Sequence, residues 1–172
     1  MSLGAEGGES ATAELGTLSR EHGFTVAVLT RRLDHAPDVV WRMLTEATGQ
    51  WLAPGRVEPR LGGAVRLAFA DSGTVIESAV TAFEPDRLVA FSWSRPGEPT
   101  RPVRWALAPD GGATRLTLTV RAPESEEAAR AFAGWEAHLA MLSAALAGAP
   151  IAFPFEVFKA AREAYRNLAS PA

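Results

Sequence analysis

Within AGWEAHLAMLSAALAG, residues 133–148, a tryptophan, a glutamate and a histidine fall within four positions. On a helix Glu136 and His138 lie about 200° apart around the axis, so they cannot converge on one substrate. No acid–base dyad is expected here. His138, next to Leu139, can flank a cavity mouth, with solvent exposure or a single core hydrogen bond as the plainer role. His22 and His35 are scattered without ligand-like spacing, so no metal site is expected. No GxSxG elbow, phosphate-binding loop or dinucleotide fingerprint is present. Glu77 sits in a strand-like run among apolar neighbours. Facing inward it would be a polar handle for a ligand; facing outward, which is favoured, it is an ordinary solvated residue.

The elements that must position these residues are legible from hydrophobic period. FTVAVLTRRL (24–33) is β-branched and apolar enough for a first strand. Pro37 and Asp38 open a short helix with Val40, Trp41 and Leu44 on one face, and a second short turn carries Trp51. Strand-like runs then follow to about residue 122, giving some six alternating segments with the first. Their turn signals include Gly62-Gly63, DSG and DGGA. Phe69, Trp93 and Trp105 fall on the apolar sides of three of these runs. The pattern predicts an antiparallel meander with one buried face. The period then changes to 3.6 residues. A long helix opens at Ser125 and closes at Gly148 and Pro150, with Phe132, Trp135, Leu139, Leu142 and Leu146 along one stripe. A last amphipathic helix carries Phe155, Phe158, Tyr165 and Leu168. It suits packing across the back of the domain, which is favoured, or exchange with a second subunit; monomer and homodimer both remain open.

Composition excludes several functions. A net charge of −3 leaves no electrostatic footprint for nucleic acid. Without cysteine there is no disulfide framework, thiolate nucleophile or Cys-ligated metal. No apolar run is long enough for membrane insertion, and the first residues lack a signal-peptide pattern, so a cytoplasmic location is expected. Only Lys159 among the 17 basic residues is a lysine, which with the many alanines fits a GC-rich bacterial coding bias.

RRLDHAPDVVWRMLTEA, QWLAPG, Gly62-Gly63, RLVAFSW, VRWALAPDGGATRLTLT and AGWEAHLAMLSAALAG occur in that order and at suitable spacing. The ordered set resembles the START-like, helix-grip SRPBCC superfamily, and within it the branch named for the activator of the heat-shock-protein-90 ATPase. The resemblance implies an α+β fold, a curved antiparallel sheet wrapped on the long helix, with an apolar ligand often held between them. It covers roughly residues 24–148, within a domain expected at 21–148 after a flexible leader (1–20) and before a helical extension (149–172). Only about twenty residues precede the first strand, so the co-chaperone's separate partner-binding domain is not expected. The leading function is non-covalent binding of a small apolar or amphipathic molecule, without metal, nucleotide or other cofactor. The candidate lining is Trp51, Phe69, Glu77, Trp93, Trp105, Phe132, Trp135, His138 and Leu139, of which Phe132 and Trp135 are the favoured helix positions. A protein-interaction module is the alternative. A polyketide-cyclase-like enzyme is a weaker one, needing an inward Glu77 or His138.

Overall fold

A computed structural model describes residues 15–124 and 126–169 of the 172. The described strands are β1 (Thr17–Glu21), β2 (Phe24–Leu33), β3 (Gly55–Val57), β4 (Ala64–Ala68), β5 (Val75–Ala79), β6 (Ala82–Glu84), β7 (Leu88–Ser92), β8 (Pro102–Asp110) and β9 (Ala113–Pro123). The described helices are α1 (Pro37–Thr45), α2 (Ala128–Leu146) and α3 (Phe155–Ala169), with a 3-10 turn at Thr48–Gln50. This is the α+β arrangement of sheet and long helix that the pattern predicts. Residues 1–14 and Ser125, expected as leader and helix opener, lie outside the described residues. The leader's last residues are corrected: Thr17–Glu21 pairs with β2, from Thr17 opposite Val28 to Glu21 opposite Phe24.

The sheet is antiparallel, but it is not a meander. Six strands run in the order β1-β2-β9-β8-β7-β6, so the strands at opposite ends of the domain sequence, β2 and β9, pair along their length. A smaller sheet, β3-β4-β5, comes from the middle of the chain. The run 74–85 reads as one strand but changes partner within itself. Val80 N–H donates to the Gly63 carbonyl, whereas Thr81 N–H donates to the Ala90 carbonyl of β7. The β8–β9 hairpin turns through Gly111 and Gly112, both at positive φ (56° and 89°), which matches the right-handed twist of the strands.

Alternation buries Val103, Trp105 and Leu107 of β8 with Leu116, Leu118 and Val120 of β9. Across this surface lies α2, whose Phe132, Leu139 and Leu142 are buried in the same core. Pro37 and the acidic Asp38 lie in the first turn of α1, which buries Val40, Trp41 and Leu44. α3 folds back on α2 and buries Ala161 and Tyr165 within this chain, the packing that its stripe favours.

Behind α2, four segments meet at one carboxylate. Glu136 is only 6% exposed, and it accepts from the Arg31 guanidinium of β2 and the Tyr165 hydroxyl of α3. The same hydroxyl accepts the Gly16 N–H at 2.7 Å. A Cβ at residue 16 would stand 2.8 Å from the Val28 carbonyl and 3.0 Å from the Tyr165 hydroxyl, so only glycine lets this backbone close in. Burial first, then the Glu136 charge and its hydrogen bond, hold the Tyr165 phenol well above its ordinary pKa; it stays a donor at any physiological pH.

A second latch ties α3 to the start of α2. Glu127, the residue before α2, takes Arg162 at 3.0 and 2.8 Å and Arg166 at 3.0 Å, both from α3. The Arg162 hydrogen bond is the main cause that lowers its pKa to about 2.

Tyr165→Phe removes one donor and one acceptor from a buried site, so urea unfolding should show a loss of about 1–3 kcal/mol. An unchanged midpoint would mean that the hydroxyl is not holding the helix. For Glu127 the folded pKa lies below the ordinary 4.5, so its contribution is present above pH 4.5 and lost as pH falls toward 2. Thermal unfolding should therefore separate wild type from Glu127→Gln at neutral pH, and the gap should close across that window.

Candidate ligand-binding cavity

On the opposite face of α2 the packing is incomplete. An opening of about 820 Å³ lies between this helix, the inner strand faces and the segment entering α3. Its helix wall is a stripe at helical spacing, Glu127, Arg130, Ala131, Gly134, Trp135 and His138. Val103 and Val120 of the six-stranded sheet, and Ile76 of the smaller one, form part of the strand side.

The inner end is aromatic. Trp93 and Trp135 meet edge to face at 4.7 Å between ring centroids, and Phe69 meets Trp93 at 5.9 Å. His138 sits among Phe69, Trp135 and Phe153 at 6.3, 6.0 and 5.6 Å. Its Nδ1 lies 3.3 Å from the Trp51 carbonyl oxygen, which can only accept, so this nitrogen carries the proton. The Nε2 of the neutral ring is then an acceptor. Burial holds the His138 pKa below its ordinary value, against the opposing effect of the Trp51 hydrogen bond. A neutral histidine in this orientation presents a hydrogen-bond acceptor to the cavity.

Gly134 is the flat part of this wall. A glycine inside a helix costs roughly 1 kcal/mol relative to alanine. Close packing does not account for it, because a Cβ added there meets nothing within 4 Å. Its missing side chain leaves the helix backbone open to the cavity. The mouth is charged: Arg101 is held by Glu126 at 2.7 Å and by Glu98 at 3.3 Å, and Arg121 by Glu21 at 2.8 Å. Phe153, Phe155 and Phe158 cross one side of it, with ring centroids 5.0 and 5.8 Å apart.

Of the nine sequence-derived candidates, the structure brings four to this cavity: Phe69, Trp93, Trp135 and His138. Trp51 is instead core, its indole N–H donating to the Met43 carbonyl at 2.8 Å. Trp105 is wedged between Trp51 and Trp135, with centroids 5.6 Å from each. Phe132, a favoured lining position, is corrected: it is fully buried against Tyr165 at 5.7 Å, on the helix face turned away. Leu139 is buried beside a smaller cleft of about 530 Å³ behind α2. Glu77 is exposed, opposite Arg66 on β4, and offers nothing to the interior. Glu136 and His138 do diverge, one toward each cleft. Sequence reasoning missed Gly134, Arg130 and the three phenylalanines of the mouth. An unexplained glycine inside a helical pattern was the one signal available for Gly134.

Among the described residues no group of three or more His, Asp or Glu could hold a metal ion. No described helix is long and apolar enough to cross a membrane.

The model of the family Activator of Hsp90 ATPase homolog 1-like protein matches residues 34–147, well over half of the chain. The chain belongs to this family. No curated protein matches it. Among solved structures it is similar to CalU16 from Micromonospora echinospora, with a TM-score of 0.76 and 23% identity over 92% of this chain and 99% of that one. EF2215 from Enterococcus faecalis, a conserved protein of unknown function, gives a TM-score of 0.74 at 20% identity, covering 99% of this chain and 100% of that one. DynU16, a protein in the dynemicin biosynthetic locus, is 27% identical with a TM-score of 0.63, over 73% of this chain and 48% of that one. The helix-grip fold of the SRPBCC superfamily is thereby established, with α2 as the gripped helix. Of the groups joined at Glu136, the partners Arg31, Gly16 and Tyr165 all lie outside the family-model match.

Because burial lowers the His138 pKa in the folded chain, the unfolded chain takes up its proton first. The stability associated with neutral His138 is complete above its ordinary value of 6.5 and is lost as pH falls through the lower folded value. Urea midpoints should drop between pH 7 and 5 in wild type and drop less in His138→Phe. Parallel curves would remove His138 from the titration.

Proposed function

We propose that the protein binds a small apolar or amphipathic molecule non-covalently in the cavity between the sheet and α2. The observation that carries this reading is an opening of about 820 Å³ that stays unfilled beside five close-set aromatic and imidazole rings. Ligand sites are typically concave, mostly apolar and a few hundred Å³ or more. A sealed core would have favoured the protein-interaction alternative. Apolar burial at ~25 cal/mol per Å² supplies the main driving force, and the aromatic edges favour a flat guest.

A catalytic reading is narrower. Of the two ionisable groups it required, Glu77 faces outward, while His138 reaches the cavity. The only hydrogen bond His138 makes among the described residues is to a backbone carbonyl, so no acid partner orients it for proton transfer. Binding without turnover fits this arrangement better. Family membership and the likeness to CalU16 are consistent with a ligand-binding fold, and neither names a ligand.

Gly134→Phe tests the proposal, since the added ring fills the cavity from a position with free space around its Cβ. Native mass spectrometry of protein from its own host, and thermal shifts against lipid and aromatic panels, should give bound mass and stabilisation for wild type only. Equal stabilisation of Gly134→Phe, or no binding by wild type, would overturn the cavity as the site.

A further inference from the structure

Arg130, Gly134 and His138 stand at i, i+4 and i+8 on the cavity face of α2, so their Cα atoms span about 12 Å along the axis. Each offers something different. His138 presents an acceptor nitrogen at the aromatic end, its orientation fixed by the Trp51 carbonyl. Gly134 gives a bare stretch of helix midway. Arg130 is exposed at the charged mouth.

Charge at that mouth is otherwise matched. Arg101 is held by Glu126 and Glu98, Arg121 by Glu21, and Glu127 by Arg162 and Arg166. Among the described residues, Arg130 is the cavity-lining cation without an ion-pair or hydrogen-bond partner. A guanidinium forms strong, directional bonds to a carboxylate, sulfonate or phosphate.

Building on the cavity as the binding site, we infer that its ligand class is an elongated, flat aromatic anion bearing a hydroxyl or N–H at the far end. The anionic group meets Arg130, the rings lie over Gly134 against the touching Trp93–Trp135 pair, and the donor reaches Nε2 of His138. A neutral lipid would leave Arg130 unused, and a cation would be repelled by it. An anion without a distal donor would leave the oriented imidazole nitrogen dry and unpaired, a cost that a buried polar atom does not carry lightly.

Three probes separate these contacts: 6-hydroxy-2-naphthoate has both groups, 2-naphthoate only the anion and 2-naphthol only the donor. Calorimetric titration of the full chain at neutral pH should rank the first tightest. Arg130→Gln, at an exposed position that the fold does not need, should weaken both naphthoates about tenfold and leave 2-naphthol unchanged. His138→Phe should weaken the two hydroxyl probes and spare 2-naphthoate. Equal affinities that ignore Arg130→Gln, yet vanish in Gly134→Phe, would overturn the ligand class and keep the cavity. A response to Arg130 alone would overturn the donor half. No binding of any probe, or binding indifferent to Gly134→Phe, would overturn both.

Discussion

A carboxylate cannot be buried cheaply, and Glu136 is buried in the middle of the longest helix. It is tolerated because Arg31 and Tyr165 reach it from a strand and from the C-terminal helix, while the tyrosine in turn satisfies a backbone N–H at Gly16. A buried ion pair adds little net stability, but breaking one is costly, so its effect is to fix geometry. Here it fixes the rotation of the helix about its own axis. No buried side-chain nitrogen or oxygen among the described residues lacks a partner, so this rotation leaves no such group unsatisfied.

Everything on the other face of the helix follows from that rotation. With Glu136 turned toward the C-terminal helix, the residues on the far side are Arg130, Gly134 and His138. Ile76, Val103 and Val120 line the same opening from the strand side. The glycine leaves bare helix backbone toward the opening at the expense of helix propensity, and the aromatic rings at its inner end meet edge to face. One helix thus carries the buried Glu136 pairing beside the smaller cleft on one side and borders the larger opening on the other. The Glu127 latch to Arg162 and Arg166 keeps the C-terminal helix aligned over this arrangement, and the same helix brings Phe155 and Phe158 to the mouth.

Those two phenylalanines show why the mouth resists sequence reasoning. Phe158 is half-buried and Phe155 is 64% exposed, so one hydrophobic stripe serves two purposes. Periodicity marks both as packing residues. Only the path of residues 147–154, which returns the chain across the opening, separates them.

Local patterning specifies the class of fold and the direction of most side chains. Strand period, the change to helical period and the turn glycines are local properties, and β2, β4, β5, β7, β8, β9 and α2 form along the runs they mark. The 200° between Glu136 and His138 is helix geometry, so their divergence was also legible. Which apolar residues surround empty space depends instead on long-range packing. Phe132 and Trp135 are both buried aromatics on one helix, yet the first is pressed against Tyr165 and the second borders the cavity. The pairing of β2 with β9, the switch of partner at Val80 and Thr81, and the recruitment of Thr17–Glu21 as a strand were likewise out of reach. These depend on contacts between residues far apart in the chain, where alternation fixes which face a side chain takes but not what stands opposite it.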